Sequence, residues 1–164
     1  MNRQRKALLD RLEQSGKEYV EYLLQLSAEE LHAQSAPTEW SIHQVAAHMR
    51  DAEEHAFLLR VERLLAEEHP AFQNFDQGEW WRGHPYSPDE PLKKIVADFR
   101  AARRKLIRLL RAAPTKVWQN WGTHSAYGKV TLDWIVMHCY YHTLEHIVPI
   151  GDALEKSLLK RLNG

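Results

Sequence analysis

Four stretches of the chain carry apolar residues at the three- and four-residue spacing that is typical of an amphipathic helix. The predicted helices span about residues 2–26, 41–68, 87–113 and 131–162. Ser41, Ser87 and Thr131 are capping residues at the starts of the last three helices, and Pro70 and Pro114 follow the second and third. Four long amphipathic helices indicate an all-α protein built as a four-helix bundle.

The segments between these helices have no clear period. Residues 71–87 and 118–128 are predicted to be long irregular connections, between helices two and three and between helices three and four. Pro37 is expected to break the chain before the second helix, and no alternating run is long enough to predict a sheet. Residues 1–164 are interpreted as one domain. The inward face of the second helix is predicted to contain Val45, His48, Ala52, His55, Ala56 and Leu59.

The composition narrows the classes of partner. Hydrophobic residues make up 44% of the chain and charged residues 27%, which is typical of a folded globular protein. Lys+Arg and Asp+Glu both number 22, so no net charge would attract nucleic acid or an anionic membrane. No apolar run approaches the roughly 20 residues that cross a bilayer. The single cysteine, Cys139, is typical of a reducing compartment. We therefore expect a cytoplasmic protein whose partner is a small molecule, not nucleic acid or a membrane.

The histidines carry the strongest indication of chemistry. His138, His142 and His146 are spaced four apart in the last helix and share one of its faces, and His48 lies on the inward face of the second helix. Two imidazoles from one helix and a third from a facing helix could bind one transition-metal ion. The spacing leaves two pairs open, His138 with His142 or His142 with His146. It also leaves His55, seven residues after His48, as an alternative third ligand.

The ligand type limits the kind of metal site. Zinc, nickel and iron all bind neutral imidazole nitrogen, so the donors alone do not choose among them. Structural zinc sites usually use four protein ligands with thiolates, whereas three imidazoles without paired cysteines favour an open or water-filled position. No acidic residue stands three positions before any of these histidines. That pattern disfavours the carboxylate-bridged di-iron centre of ferritin-like bundles.

Two segments resemble the signatures of the DinB/YfiT-like family. Residues 39–51, Glu-Trp-Ser-Ile-His-Gln-Val-Ala-Ala-His-Met-Arg-Asp, are similar to its tryptophan-serine, histidine and aspartate signature. Residues 128–132, Gly-Lys-Val-Thr-Leu, followed by residues 142–147, His-Thr-Leu-Glu-His-Ile, resemble its second signature. The resemblance implies a metal-binding four-helix bundle over nearly the whole chain, often assembled as a homodimer.

The same resemblance implies a ligand set and a class of activity. The metal ligands would be His48, His142 and His146, holding one divalent ion, most commonly zinc or nickel. Asp51 would steer a bound histidine or water through a hydrogen bond. The implied function is a metal-dependent enzyme on small molecules, either a thiol-dependent transferase with a low-molecular-weight thiol as co-substrate or a hydrolase. The alternative is a non-catalytic metal-binding, ligand-sensing or dimerisation module.

Asp51 and Glu145 are the candidate catalytic residues. The string His142-Thr143-Leu144-Glu145-His146 also matches the inverted zinc-peptidase pattern, in which the glutamate is the general base. Those peptidases take a third, carboxylate ligand from another helix well downstream, and the residues after His146 only complete the same helix. We therefore interpret Glu145 as an acid or base in a different metal reaction.

The remaining polar and aromatic residues have simpler interpretations. Cys139 is expected to pack in the core, and the other histidines are expected at the surface, with His124 nearest the mouth of the bundle. These are His32, His43, His69, His84 and His124. Helix three carries a basic cluster, interpreted as a solvated face or as an anion clamp near the metal: Arg100, Arg103, Arg104, Lys105, Arg108 and Arg111. Four tryptophans in the connections are expected to cover the core, an interface or the open end of the bundle: Trp80, Trp81, Trp118 and Trp121.

Overall fold

The computed structural model describes residues 2–34, 36 and 38–163 of the chain. In chain order the helices are α1 (Arg3–Leu23), α2 (Ala28–His32), α3 (Ile42–Ala52), α4 (Leu59–Ala66), α5 (Gln77–Gly83), α6 (Leu92–Ala112) and α7 (Leu132–Asn163). The strands are β1 (Ala71–Phe72), β2 (Trp121–His124) and β3 (Gly128–Thr131). The bundle consists of α1, the α3–α4 segment, α6 and α7, so the predicted four-helix bundle is confirmed. The predicted break at Pro37 lies outside the described residues.

Side-chain caps fix the starts of the helices that carry the histidines. Ser41 accepts a hydrogen bond from the Gln44 N–H, and the Gln44 side chain accepts one from the Ser41 N–H, which completes the predicted capping box of α3. Thr131 accepts a hydrogen bond from the Trp134 N–H at 3.4 Å, as expected for the residue before α7. Both helices therefore begin where the sequence predicted.

The second bundle segment is not one continuous α-helix. A π-helical turn spans Glu53–Leu58 and joins α3 to α4. A π-helix closes its hydrogen bonds over five residues instead of four, so the residues after it are rotated relative to those before it. Leu59 was predicted to face inward with His48, but its side chain is 46% exposed because of this rotation.

The third bundle helix begins later than the sequence predicted. Ser87 was expected to cap it, but Ser87 instead accepts a turn hydrogen bond from the Glu90 N–H, and α6 begins after Pro91. The residue before a proline is disfavoured in helical conformation, which accounts for a helix that begins after Pro91 and excludes Glu90. The helix then runs to Ala112, close to the predicted end.

The two predicted irregular connections contain regular structure, so the expectation of no strand was wrong. β2 and β3 pair as an antiparallel hairpin, and β1 adds to β2 in parallel. Each strand is only two to four residues long, too short for an alternating pattern to stand out. At Gly122 an added Cβ would lie 2.5 Å from the Pro70 carbonyl oxygen and 2.6 Å from the Phe72 ring. The close approach of β1 to β2 therefore requires glycine at this position.

A buried ion pair crosses the centre of the bundle. The Arg103 guanidinium on α6 donates to both carboxylate oxygens of Glu53, at 2.5 and 2.8 Å, and both side chains are at most 5% exposed. Arg103 also donates to the Leu12 carbonyl oxygen at 2.9 Å and to the Thr143 hydroxyl at 3.0 Å. This network connects α1, the π-helical turn, α6 and α7.

Apolar packing around this ion pair forms the core in two parts. One part includes Leu12, Leu64, Leu106, Trp118 and Ile135. The other includes Tyr19, Leu23, Met49, Phe99 and Ile150. None of the helices in the described ranges combines the length and apolar character that a membrane crossing requires.

Candidate metal centre

The three histidines implied by the resemblance lie together between α3 and α7. The Nε2 atoms of His48 and His142 are 3.1 Å apart, and one ring nitrogen from each of His48, His142 and His146 lies within 4.8 Å of the others. The His146 ring stands at 66° to His48 and at 75° to His142, with centroids 5.1 and 4.7 Å away. Of the two pairs that the spacing left open, the structure brings His142 and His146 to His48.

A hydrogen-bonded amide determines which nitrogen of His48 carries its proton. The Gln77 side chain donates from Nε2 to the Asp51 carboxylate at 2.8 Å, so its Oε1 faces the Nδ1 of His48, also at 2.8 Å. An amide oxygen accepts hydrogen bonds, so Nδ1 of His48 holds the proton and donates it. The Nε2 of His48 is then left with a lone pair directed at the other two rings.

Asp51 is buried and acts on the site through this amide and through its charge, which raises the pKa of His48 against the effect of burial. Its Oδ2 accepts hydrogen bonds from Gln77 and from the Trp81 indole N–H at 3.1 Å, and its Oδ1 accepts from Arg50 at 2.9 Å. Arg50 also pairs with Glu90 at 2.7 Å. The carboxylate thus holds Gln77 in place, which in turn orients His48. Orientation of a ligating histidine by such a partner is a common feature of metal sites.

Gln77 was missed at the level of sequence. It lies on α5, in the connection that was predicted to be irregular, and a glutamine in a loop carries no distinctive pattern. The one available signal was the helix cap at Asp76, which accepts a hydrogen bond from the Glu79 N–H at 2.7 Å. An Asp three residues before a Glu predicts a short helix there.

Burial keeps the three rings neutral. Desolvation lowers the pKa of His142 to about 2, helped by the neighbouring charges of His146 and His48 if they were protonated. Burial and the proximity of His48 lower the pKa of His146 to about 4. Burial also lowers the pKa of His48, against the hydrogen bond that its ring donates to Gln77 and the charge of Asp51. All three rings therefore present lone pairs at neutral pH, the protonation state that a metal ion requires.

This donor set fits a divalent transition-metal ion. In a tetrahedral zinc site with Zn–N distances of about 2.0–2.1 Å, the ligand nitrogens lie about 3.3–3.4 Å apart, close to the 3.1 Å between His48 and His142. Within residues 2–34, 36 and 38–163, no thiol or carboxylate joins the three histidines as a fourth ligand. The rings are half-buried, so one side of the site remains accessible.

The other residues considered as ligands or catalysts lie at the margin of this site. His138 stacks on Trp134 with ring centroids 4.7 Å apart, and His55 packs on Trp80 at 4.2 Å. Neither belongs to the converging set. Glu145 is exposed on the flank of α7. Its charge raises the pKa of His138, against the larger lowering effect of burial, so it lies near that ring.

Two histidines predicted at the surface are buried. His43 is 2% exposed, and its ring lies between the Tyr86 hydroxyl at 2.6 Å and the Glu90 carbonyl oxygen at 2.9 Å. His124 is 1% exposed on β2. The connections that cover these two rings were predicted to be irregular, so their burial was not visible in the sequence.

The basic cluster of α6 does not face the metal centre. Arg103 is buried in the ion pair with Glu53, and Arg100, Arg104, Arg108 and Arg111 are exposed. Together with α1 these residues line a cavity of about 920 Å³ on the opposite face of the bundle, which also contains Glu13. The anion-clamp interpretation of this cluster was therefore wrong.

The tryptophans and Cys139 have separate positions. Trp118 is 1% exposed and lies in the core, and Trp121 stacks on His69 with ring centroids 3.8 Å apart. Neither of these two contacts involves the three-histidine site. Trp81 bonds to Asp51 and lies 5.0 Å from the ring of Trp40, which in turn packs 5.3 Å from His48. Burial and the charge of Glu53 raise the pKa of the Cys139 thiol, which stays protonated and packed as predicted.

The fold and the site together define a class of protein, the four-helix bundle with a candidate three-histidine metal site. Comparison with known proteins identifies the family. The chain belongs to the DinB superfamily, whose sequence profile matches residues 11–148. The fold is similar to that of YfiT from Bacillus subtilis, described as a probable metal-dependent hydrolase with an unusual four-helix bundle topology. The TM-score is 0.82 at 17% identity, over 96% of this chain and 90% of YfiT.

A second solved structure has a related fold. TT2238, described as a four-helix bundle protein, aligns with a TM-score of 0.66 at 19% identity, over 90% of this chain and 98% of its own. The search of functionally curated proteins gave no match. At these identities the two structures establish the fold, and function has to be argued from the site.

Proposed function

We propose that this protein is a metal-dependent enzyme on small molecules, with one divalent ion, zinc or nickel, bound by His48, His142 and His146. The observation that supports this best is the convergence of three neutral imidazoles within 4.8 Å, with the tautomer of His48 fixed by Gln77. Three half-buried imidazoles that each offer a lone pair form a set of donors that a cation would complete. The description of YfiT as a probable metal-dependent hydrolase agrees with the proposal.

The chain's own residues would orient and exchange protons around the ion. When bound, a divalent ion would supply Lewis acidity to an oxygen or sulfur atom of the substrate or of a low-molecular-weight thiol. The Asp51–Gln77 pair would hold His48 in the ligating tautomer, which makes Asp51 a positioning residue. Glu145, one position before His146 and exposed, would carry protons between the site and solvent. Both a hydrolase and a thiol-dependent transferase would use this arrangement.

Elemental analysis tests the metal site directly. Untagged protein is equilibrated with zinc or nickel, freed of excess metal, and analysed for bound ion. We expect about one ion per wild-type chain and none in the triple variant His48→Ala, His142→Ala, His146→Ala. The matched control replaces three exposed histidines, His32, His69 and His84, and should bind as the wild type does. Equal binding by both triple variants would contradict the proposal.

A second measurement separates an enzyme from a structural metal module. Cobalt(II) in the site gives a visible spectrum that responds to a change of ligand. Addition of a small thiol should change this spectrum if a coordination position is open, as a catalytic site requires. An unchanged spectrum would favour the non-catalytic module. Activity assays on ester, amide and electrophilic thiol-acceptor substrates would then identify the reaction.

We also propose that the protein assembles as a homodimer, as the family resemblance implies. Met137, Tyr141 and Val148 lie along one face of α7 and are 41%, 57% and 62% exposed, an unusual run of large apolar side chains on one surface. Sedimentation analysis should give a dimer for the wild type and a smaller species for Tyr141→Glu. A monomeric wild type would contradict this part of the proposal.

A further inference from the structure

Beside the metal centre lies a group of hydrogen-bond donors without matching acceptors. Arg60 on α4 is 6% exposed, yet its guanidinium has a single hydrogen-bond acceptor within the described ranges, the Gln73 carbonyl oxygen at 3.1 Å. No carboxylate among those residues lies within 4.0 Å of it. Buried arginines are ordinarily paired with an anion, as Arg103 is with Glu53. Arg60 is the exception in this chain's described core.

His124 adds a second unmatched donor. Its Nδ1 accepts a hydrogen bond from the Ala126 N–H at 3.1 Å, so the proton of the neutral ring is on Nε2. That Nε2 is fully buried and has no acceptor in the part of the chain that the structure describes. A buried donor left unmatched is unfavourable, so its position beside Arg60 points to a ligand that accepts the bond.

A continuous aromatic wall connects this group to the metal centre. The Tyr127 ring lies 4.9 Å from His124 and 5.5 Å from His138. Phe57, one turn before Arg60, lies 5.8 Å from His138 and 5.3 Å from the candidate ligand His142. The positive charge of Arg60 contributes to the lowered pKa of both His124 and His138, so Arg60 lies near both rings.

The charge of the group selects one kind of anion. Burial lowers the pKa of His124 and of His138, so Arg60 is the one permanent cation. One guanidinium with neutral donors beside it balances a single negative charge, whereas a phosphate dianion would need further cations. A planar carboxylate also matches the two parallel N–H groups of a guanidinium.

We propose that Arg60 and His124, flanked by Tyr127 and His138, bind the carboxylate of a small molecule next to the three-histidine site. Its role as a substrate subsite rests on the proposed function, whereas carboxylate binding by itself does not. The aromatic wall would accommodate an apolar or flat portion of the same molecule and lead it towards His142. The substrate class is therefore a small carboxylic acid whose reacting group lies beyond an apolar segment.

Benzoate is a suitable probe, because it combines a carboxylate with a ring that fits the wall. Its binding is followed by heteronuclear NMR of the His124 Nε2–H and Ala126 N–H groups, at constant chloride and in metal-free wild-type protein. We expect saturable shifts of both signals, and at least tenfold weaker binding in Arg60→Gln. Arg108→Gln removes one exposed charge from α6 and should bind benzoate as the wild type does. Arg60→Lys, which keeps the charge but not the fork, should be intermediate.

Four outcomes would overturn the assignment. They are the absence of saturable shifts in the wild type, equal binding by wild type and Arg60→Gln, equal binding of uncharged benzyl alcohol, and tighter binding of inorganic phosphate. The first requires no variant, so misfolding of Arg60→Gln cannot rescue the proposal. Because the titration uses metal-free protein, a failure of the metal site would leave its result unchanged, and the two proposals fail separately.

Discussion

Adjacent residues of α7 take part in two polar clusters of opposite character. Thr143 belongs to the Arg103–Glu53 cluster, in which a cation and an anion satisfy each other at 2.5 and 2.8 Å. His142 belongs to the three-histidine cluster, whose members all offer lone pairs and have no buried cation among them. The first cluster is complete, because the positive and negative charges of the chain balance each other in it. The second cluster is incomplete, because it has three lone-pair donors and no cation among its own residues to accept them. The difference in charge balance separates a structural network from a ligand site. Burial differs as well, since the Arg103–Glu53 pair is at most 5% exposed and the three rings are half-buried.

The largest effect is expected from breaking the complete cluster. Arg103→Met would leave Glu53 buried without its partner, which should lower the free energy of unfolding by about 3–5 kcal/mol. Chemical denaturation of metal-free protein measures this loss. The double variant with Glu53→Met should recover much of it, because no unpaired charge then remains. A loss below about 1 kcal/mol would show that the ion pair is not a closed structural unit.

The second effect concerns the incomplete cluster. Zinc at 100 times its dissociation constant should raise the wild-type free energy of unfolding by about 2.7 kcal/mol. His142→Ala should gain almost nothing from zinc, since it lacks one of the three donors. Arg103→Met should still gain, although it is less stable, because Arg103 donates no hydrogen bond to the rings of the site. Loss of the zinc effect in Arg103→Met alone would mean that the two clusters are not independent.

Removal of the Gln77 amide, which connects His48 to Asp51, should have a smaller effect on metal binding. Gln77→Leu leaves the three ligands in place but frees the orientation of His48, so metal affinity should fall about 10–100-fold, or about 1.4–2.7 kcal/mol. Competition with a chelator of known affinity measures it. Gln73→Leu, an exposed neighbour in the same connection, is the control and should bind metal normally. Unchanged affinity in Gln77→Leu would remove the orienting role.

The smallest effect should come from a buried histidine that is already satisfied. Burial lowers the pKa of His43 below its usual 6.5. The unfolded chain then takes up the proton first, so the stabilisation is complete above pH 6.5 and declines as the pH falls below it. His43→Gln should lose less stability than the wild type between pH 6.5 and 5.5, by at most about 1 kcal/mol. His69→Gln, at an exposed position, should follow the wild type.

The sequence predicted the bundle well because a long helix that buries one face needs apolar residues every three or four positions. That spacing is visible in the sequence. The caps at Ser41 and Thr131 were likewise local and therefore visible. The π-helical turn at Glu53–Leu58 was not visible, since one extra residue in a turn leaves no local pattern in the sequence. Glu53, the first residue of this turn, pairs with Arg103, which is 50 positions away. The misplacement of Leu59 follows from applying one helical period across that turn.

The site was predictable only in part for the same reason. Spacing brought His142 and His146 to one helix face, and the family resemblance, not the spacing, chose between the open alternatives. The roles of Gln77, Arg60 and His124 were not visible in the sequence. Gln77 and His124 lie in the two connections that were predicted to be irregular, and Arg60 contacts one of them. Their roles depend on tertiary contacts between residues 13 to 29 or more positions apart, such as Arg60 with Gln73 and His48 with Gln77.

The glycine at position 122 has a consequence for the width of the carboxylate site. With only hydrogen on its Cα, β2 can lie directly against the chain at Pro70 and Phe72, which follows α4. His124 is two residues further along the same strand, and Arg60 is on that helix. A methyl group at position 122 would push β2 away from Pro70 and Phe72 and would thereby change the spacing of the two proposed carboxylate-binding donors. The absence of a side chain at Gly122 would therefore help to determine the size of the molecule that the proposed site accepts.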